Sequence, residues 1–371
     1  MRILEICTNF RPGGIQRHVL DLAAFLRDRG HEVTLAGDKG DWAVTGGGAG
    51  VVPVGLDAVA VTGGSGISRL LHLPAAAFAL RRVISSRGIE LIHAHETAPT
   101  LAAWLGSAGL GIPILMTYHG SAPDRVASVA NIGHRCADVV VSPSRRSLDA
   151  LVAAGLPAAR TRHLGLGVAA FPPRDPADIA TLRESLLAGR PGPLVLSLSR
   201  LDPQKGIDVM LRVAARVLDR HPGATFAVAG GGPLAGQVAG WAEAAGVGDA
   251  FRWLGPVEGV DRFLRAADLY LLTSRWEALP ISIVEAFRAG LPVVATDCGG
   301  VGELVDDSVG ALLPVGDDAA IAAEVSTLLG DPDLLRAKGQ AALVRSAEPR
   351  FDPDAVHCGF EAFYREILAA R

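Results

Sequence analysis

The chain has 371 residues, 49% of them apolar and 20% charged, with a formal charge of −4. Its length exceeds the ~250–300 residues at which one hydrophobic core stops growing, and its composition excludes a disordered chain, so two ordinary globular domains are expected. A slightly acidic chain with no run of like charges lacks the electrostatic footprint for a polyanion backbone, which excludes nucleic acid as a partner.

The first predicted element is the apolar run Ile3-Leu4-Glu5-Ile6-Cys7, a strand. Glu5, Asn9 and Arg11 leave no uninterrupted apolar stretch for a signal peptide, so a cytoplasmic protein is expected. A loop with Gly13 and Gly14 leads into a helix with Ile15, Val19, Leu22 and Leu26 at three- and four-residue spacing, and Gly30 ends it. The strand Glu32 to Ala36 follows. Strand and helix signals keep alternating through Leu91-Ile92, Ile114 to Thr117 and Val139 to Val141, the rhythm of a parallel sheet with crossover helices.

Thr97 to Tyr118 contains no charged residue and imitates a membrane span. Pro99, Gly106, Gly109, Gly111 and Pro113 break it, so it reads as a short buried helix, a glycine turn and a strand. Peripheral contact with the inner face of a membrane is compatible with this reading. The stretch from Gly165 to Pro176, with Gly167, Pro172 and Pro173, has the composition of an interdomain linker. The alternation then restarts, with buried strands at Leu194 to Ser197, Phe226 to Ala229, Leu269 to Leu272 and Pro292 to Ala295. Asp354 to Arg371 is an amphipathic helix whose Val356, Phe360, Phe363, Tyr364 and Ile367 need a partner surface. The fold class expected is α/β, with two doubly wound parallel sheets, ligands at the carboxyl ends of the strands, and a cleft between the domains as the natural site.

Three stretches carry chemistry. In Arg275 to Phe287, Glu277 precedes a helix and Glu285 lies on it, eight positions later, with Pro280 suited to its first turn. A helix N-terminus suits a phosphate, and carboxylates beside it suit hydroxyl-rich groups such as a hexose and a ribose. Alternatively, Glu277 caps the helix and Glu285 is merely solvated. In Ser199 to Gly206, Arg200 and Lys205 on a post-strand loop can converge on a diphosphate, or stand in solvent. In Thr117-Tyr118-His119-Gly120 a histidine ends a strand. A core or capping role is the simplest one for His93 and an equal alternative for His95. Cys7, Cys136, Cys298 and Cys358 have no paired spacing, and all four read as small hydrophobes in a reducing compartment.

Arg200 with Lys205-Gly206, the Glu277/Glu285 pair, Gly230-Gly231-Gly232-Pro233 after a strand, and Gly13-Gly14 after the first strand together resemble the retaining glycosyltransferases of family 4. The resemblance spans nearly the whole chain. It implies the two-domain fold called GT-B: residues 1–168 as a Rossmann-like acceptor-binding domain, 169–350 as the Rossmann-like nucleotide-sugar domain, and 351–371 as a helix crossing back to the first. By the same resemblance, Arg200 and Lys205 hold the donor diphosphate and stabilise its developing charge. Glu285 takes the ribose, Glu277 the transferred sugar, and His119 sits near that sugar. Gly13, Gly14 and Gly231, with the backbone of Leu279, Pro280 and Ile281, approach the donor.

The implied reaction moves a hexosyl group from a nucleoside-diphosphate sugar, UDP-linked in preference to GDP-linked, to a hydroxyl of a lipid-linked glycan, saccharide or small glycoside precursor. It retains the anomeric configuration and uses neither metal nor cofactor. Two departures stand out. Ala278 and Pro280 occupy positions where relatives often have glycine, and the hinge Leu164 to Val168 lacks a common asparagine. A nucleotide-sugar epimerase of the same fold is the first alternative. An NAD-dependent oxidoreductase lacks its glycine fingerprint here, and a non-catalytic module fits the intact charged set less well. Acceptor choice is expected to lie in the loops from Gly40 to Ser68.

Overall fold

The computed structural model describes residues 1–11, 13–38, 40, 50–60 and 66–370, with the side chains of 60 and 66–71 excepted. About half of the Gly40 to Ser68 loops, residues 41–49 and 61–65, therefore lies outside the described residues. The chain divides into two compact units, Met1–Gly167 with Asp352–Arg371, and Val168–Phe351.

Unit 1 contains β1 (Arg2–Asn9), β2 (Glu32–Asp38), β3 (Leu91–His95), β4 (Ile114–Thr117), β5 (Val139–Ser142) and β6 (Thr161–His163). They form one sheet in the order β2-β1-β3-β4-β5-β6, every pair parallel. The central strands are apolar on both faces because helices cover both, which is why they read as short continuous runs rather than alternating ones. On one face Leu4, Ile6, Ile92 and Met116 pack with Leu80, Ala102 and Leu151. On the other, Ile3, Leu91, Leu115 and Val141 meet Leu22 and Leu26 of the first helix, Gly14–Asp28, together with Val356, Phe360, Phe363 and Tyr364 of the C-terminal helix, Pro353–Ala369. The apolar stripe of that last helix thus finds its partner in unit 1.

The uncharged stretch resolves into the helix Thr97–Gly106, a turn and β4. No described helix is long and apolar enough to cross a membrane. Cys7, Cys136 and Cys298 are buried as expected, but Cys358 is exposed, because it lies on the C-terminal helix away from the stripe that packs.

Unit 2 contains β7 (Leu194–Leu198), β8 (Thr225–Ala229), β9 (Phe251–Trp253), β10 (Leu269–Leu272), β11 (Val293–Thr296) and β12 (Gly310–Leu313). Their order is β12-β11-β10-β7-β8-β9, again all parallel. Counted within the unit this is the order 3-2-1-4-5-6 of the dinucleotide-binding fold, whose switch point lies between its first and fourth strands. Those strands are β7 and β10. In unit 1 the order reverses between β1 and β3. At each switch point the loops leaving the two strands diverge to opposite faces of the sheet and leave a crevice at the carboxyl ends, where ligands bind in such sheets.

Candidate active site

The two loops that leave the switch point of unit 2 are Ser199 to Gly206 after β7 and Thr273 to Pro280 after β10. They carry Arg200, Lys205 and Glu277. They are bonded to each other along their length. Thr273 Oγ1 donates to the carbonyls of Lys205 and Gly206 at 3.1 and 3.0 Å, and the Arg275 N–H donates to the Gln204 carbonyl at 2.7 Å. The Arg275 guanidinium forks onto Asp208 at 2.9 and 2.7 Å. Gly206 sits at φ 62°, where a Cβ would lie 2.2 Å from the Thr273 carbonyl oxygen, so only glycine lets the loops meet this closely.

The result is a fixed charged pair. Lys205 Nζ donates to Glu277 Oε1 at 2.5 Å, and Ser274 Oγ donates to the same oxygen at 2.7 Å. Gln204 Nε2 approaches the other oxygen at 3.4 Å. The side chains of Lys205 and Glu277 are 18% and 8% exposed, so the pair is screened only weakly by solvent. Arg200 differs: its Nε donates to Asp202 at 2.6 Å, and its side chain is 68% exposed, with guanidinium donors left to offer.

Glu277 is not a helix cap. The helix runs Ile281–Arg288 with Pro280 as its N-cap and no side-chain capping bond. Pro280, expected inside the first turn, stands just before it, because its ψ of 118° is extended. Leu279 and Pro280 are buried, so this segment can face a ligand chiefly through its backbone. Glu285 lies on that helix, half-buried, and with Glu277 adds to the burial that pushes the Tyr270 phenol up. The Gly231 carbonyl accepts from the Leu201 N–H at 2.8 Å, tying the loop after β8 to the Arg200 loop.

One glycine went unnoticed in the sequence. Gly299, after β11, has φ 50°, and a Cβ there would lie 1.7 Å from the Glu277 carbonyl oxygen. The adjacent Gly300 N–H donates to the Ala278 carbonyl at 2.8 Å. The signal was present as a Gly-Gly pair three residues past a strand end. Gly299→Ala is expected to destabilise unit 2 by about 1–3 kcal/mol, combining left-handed strain with overpacking. Denaturation of the variant checks this, and an unchanged midpoint would show that the loop yields freely.

In unit 1 the sequence-selected residues flank β1, β3 and β4. Gly13 precedes the first helix with extended backbone at φ 178°, and among the described residues a Cβ there would crowd only the flexible Gln16 side chain. Gly14 begins the helix. His119, just past β4, is half-buried, and its N–H donates to Glu96 Oε1 at 2.8 Å. Behind it lies a network that sequence reading did not assemble. Glu5, fully buried on β1, stands opposite His93 of β3. Its Oε2 accepts from His95 Nε2 at 3.0 Å, and Tyr364 of the C-terminal helix donates to its Oε1 at 3.0 Å. His93 pairs with Glu5 at 3.1 Å through Nδ1 and with Thr117 Oγ1 at 2.6 Å through Nε2. His95 Nδ1 lies 3.1 Å from His119 Nε2.

Burial acts to raise the Glu5 carboxyl, but His93 and His95 outweigh it and hold the group well below the usual carboxylate range. Burial, reinforced by the neighbouring rings, lowers His95 to about 4 and holds His18 and His119 well below an ordinary histidine. Glu96 is pushed the other way by burial, up to about 7. Glu5, His93 and His95 have the spacing of metal ligands, three atoms within 4.8 Å of one another. Those atoms are engaged with N–H and O–H donors of the network itself, so the arrangement is accounted for as hydrogen bonding.

Comparison with known proteins fits this geometry. Residues 12–170 match the model of Glycosyltransferase Family 4, and residues 178–345 match that of Glycosyl transferases group 1. The phosphatidyl-myo-inositol mannosyltransferase of Mycolicibacterium smegmatis is 30% identical over all of this chain and 95% of its own length. The GDP-mannose-dependent alpha-(1-6)-phosphatidylinositol monomannoside mannosyltransferase of the same organism is 30% identical, covering 91% of this chain and 92% of its own. Among solved structures, Anabaena Alr3699/HepE in complex with UDP-glucose superposes with a TM-score of 0.84 at 21% identity, covering 99% of this chain and 100% of that one. Sucrose-phosphate synthase from Thermosynechococcus elongatus reaches 0.82 at 22% identity, with full coverage of both chains. These neighbours share the GT-B fold, and with relatives of 30% identity along its whole length the chain belongs to glycosyltransferase family 4.

Proposed function

We propose that this glycosyltransferase moves a mannosyl group from GDP-mannose to a hydroxyl of an inositol- or sugar-bearing lipid, retaining the anomeric configuration and without a metal. The observation that carries the reading is the Lys205–Glu277 pair at the switch point of unit 2, with Arg200 on the same loop as Lys205. Lys205 has three N–H donors, and Glu277 takes one, which leaves two for phosphoryl oxygens. Arg200 keeps part of its fork for the same diphosphate, where two cations do the charge neutralisation otherwise supplied by a divalent ion. Glu277, held by Lys205 and Ser274, is oriented to accept from sugar hydroxyls. Glu285, one turn along the helix, takes the ribose.

For the base, the sequence favoured a UDP-linked donor. We propose GDP-mannose instead, because one relative matching nearly the whole chain at 30% identity is described as GDP-mannose-dependent, and relatives of 30–31% identity that match the whole chain include phosphatidyl-myo-inositol mannosyltransferases. The structures solved with UDP are only 15–22% identical and support the fold alone. A lipid acceptor also accords with peripheral membrane contact.

The test is a thermal-shift series with GDP-mannose, UDP-glucose and UDP-galactose, since a ligand that binds only the folded state raises the midpoint by mass action. GDP-mannose is expected to give the largest shift; a larger shift with a UDP-sugar restores the uridine donor. NMR of the product from the accepted donor, with chelator present, is expected to show an α-linkage from an α-donor. An inverted linkage, or activity lost to chelator, overturns retention or the metal-free site respectively.

A further inference from the structure

We propose that Glu5, acting through His95, fixes the tautomer of His119, so that His119 presents the lone pair of Nδ1 to a hydroxyl of the bound substrate. Glu5 on β1 and His95 on the neighbouring β3, ninety residues apart in the chain, are thereby positioning residues for a histidine that neither shares a loop with.

The assignment follows from donors and acceptors. Glu5 Oε2 is an acceptor, so at 3.0 Å the His95 Nε2 must carry a proton and donate. A lone pair there would face a carboxylate oxygen across a buried gap, with nothing to relieve the repulsion. His95, neutral, then has its lone pair on Nδ1. That atom is 3.1 Å from His119 Nε2, which must in turn be the protonated nitrogen. His119 Nδ1 is left as the acceptor, and it makes no hydrogen bond to any described residue. Glu5 itself is held by the Tyr364 hydroxyl at 3.0 Å and by His93 at 3.1 Å, so it cannot turn away from His95.

His119 is fixed in orientation as well as in protonation. Its main chain is tied to Glu96, a non-glycine residue at φ 75° at the carboxyl end of β3. Strained backbone of this kind persists where surrounding structure over-determines it, and it clusters at functional positions. The rings of His95 and His119 are nearly parallel, with planes 20° apart and centroids 5.4 Å apart, as their in-plane N–H bond requires, and His18 of the first helix meets both edge-on at 5.8 and 6.1 Å. The chain Glu5, His95, His119 runs from the buried centre of the sheet to its carboxyl edge at the switch point. A carboxylate that fixes the tautomer of a working imidazole is an established device. Here one more imidazole stands between the two.

The tautomer is a property of the free protein, whereas its use by a substrate hydroxyl rests on the glycosyl-transfer reading. The two are tested separately. In protein labelled with ¹⁵N-histidine, long-range ¹H–¹⁵N spectra near pH 7.5 are expected to show His119 Nε2 as pyrrole-like and Nδ1 as pyridine-like, with the resonances assigned by their loss in His119→Asn. The reverse pattern in the wild type overturns the relay, whichever donor the enzyme accepts.

His95→Phe keeps the ring and removes the relay, and His119 is then expected to become a tautomer mixture. With the accepted donor, kcat/KM should fall about tenfold, the loss of one oriented hydrogen bond, while the affinity for the nucleoside diphosphate stays as it was. His95→Gln carries both an amide donor for Glu5 and a carbonyl acceptor for His119, and should recover the Nε2–H tautomer and most of the rate. A His119 spectrum unchanged in His95→Phe, or an altered spectrum with unchanged kcat/KM, overturns the proposal at the relay or at the substrate respectively.

Discussion

Lys205→Ala is expected to give a folded protein whose turnover is lower by about 10²–10³, the cost typical of removing one preorganised charge-stabilising donor. In the folded chain Lys205 both pairs with Glu277 and, on the reading above, neutralises charge on the departing diphosphate. A loss of rate alone cannot separate these roles, because breaking a buried ion pair also leaves its partner uncompensated. Here the orphaned Glu277 keeps Ser274 Oγ at 2.7 Å, which limits the structural damage. The double variant Lys205→Ala with Glu277→Gln removes the uncompensated charge, and should recover stability without recovering turnover. If the double variant instead regains turnover on a donor the wild type uses, Lys205 is only the counterion of Glu277 and the diphosphate assignment falls. Arg200→Ala is expected to lose rate to a similar degree with a smaller effect on stability, since its guanidinium is mostly in solvent.

Acid is expected to unfold unit 1 steeply between pH 6.5 and 4.5. His18, His95 and His119 are held neutral in the folded chain by burial and by each other, while in the unfolded chain each takes a proton near pH 6.5. Over that interval the unfolded state binds more protons, so stability rises with pH and is lost on acidification. Glu96 works in the opposite sense: its folded carboxyl is protonated below about 7 and its unfolded one only near 4.5, which favours the fold on the acid side. The balance is three histidine protons against one carboxyl proton, or roughly 2–3 kcal/mol per pH unit at about 1.4 kcal/mol for each net proton.

His357, lowered by burial against the pull of Asp21, Asp352 and Asp354, adds in the histidine direction. Glu5 keeps its charge through the whole window, and its contribution is lost only below the unfolded carboxyl range. Urea denaturation at several pH values between 7.5 and 4.5 measures the slope. His18→Leu should flatten it by about one proton, since His18 Nδ1 is buried without a partner among the described residues, and Glu96→Gln should steepen it by about one. A stability that is flat with pH would show that these rings are solvated or already charged in the fold.

Much of this protein was legible before any coordinates. Parallel strands buried on both faces appear as short apolar runs, and crossover helices restore the 3.6-residue period, so the β/α alternation, the break near Gly167 and the apolar stripe of the final helix could all be read locally. The charged loops were legible for a related reason. Arg200 and Lys205 share one loop and Glu277 and Glu285 one loop-helix junction, and each motif is contained in fewer than a dozen residues.

What the sequence by itself left undetermined is everything set by strand order. The loops bearing Lys205 and Glu277 meet only because β7 pairs with β10, and no local signal specifies that neighbour in a sheet of six. Glu5 read only as a break in an apolar stretch, His93 as a core or capping histidine, and His95 as that or a site residue with equal weight. The residues that explain them come from β1, β3, β4 and the C-terminal helix, with Tyr364 lying 359 positions from Glu5. A buried carboxylate is tolerable only where donors surround it. Those donors are brought together by packing across the sheet, so the network, and with it the protonation of His119, was decided by the tertiary structure alone.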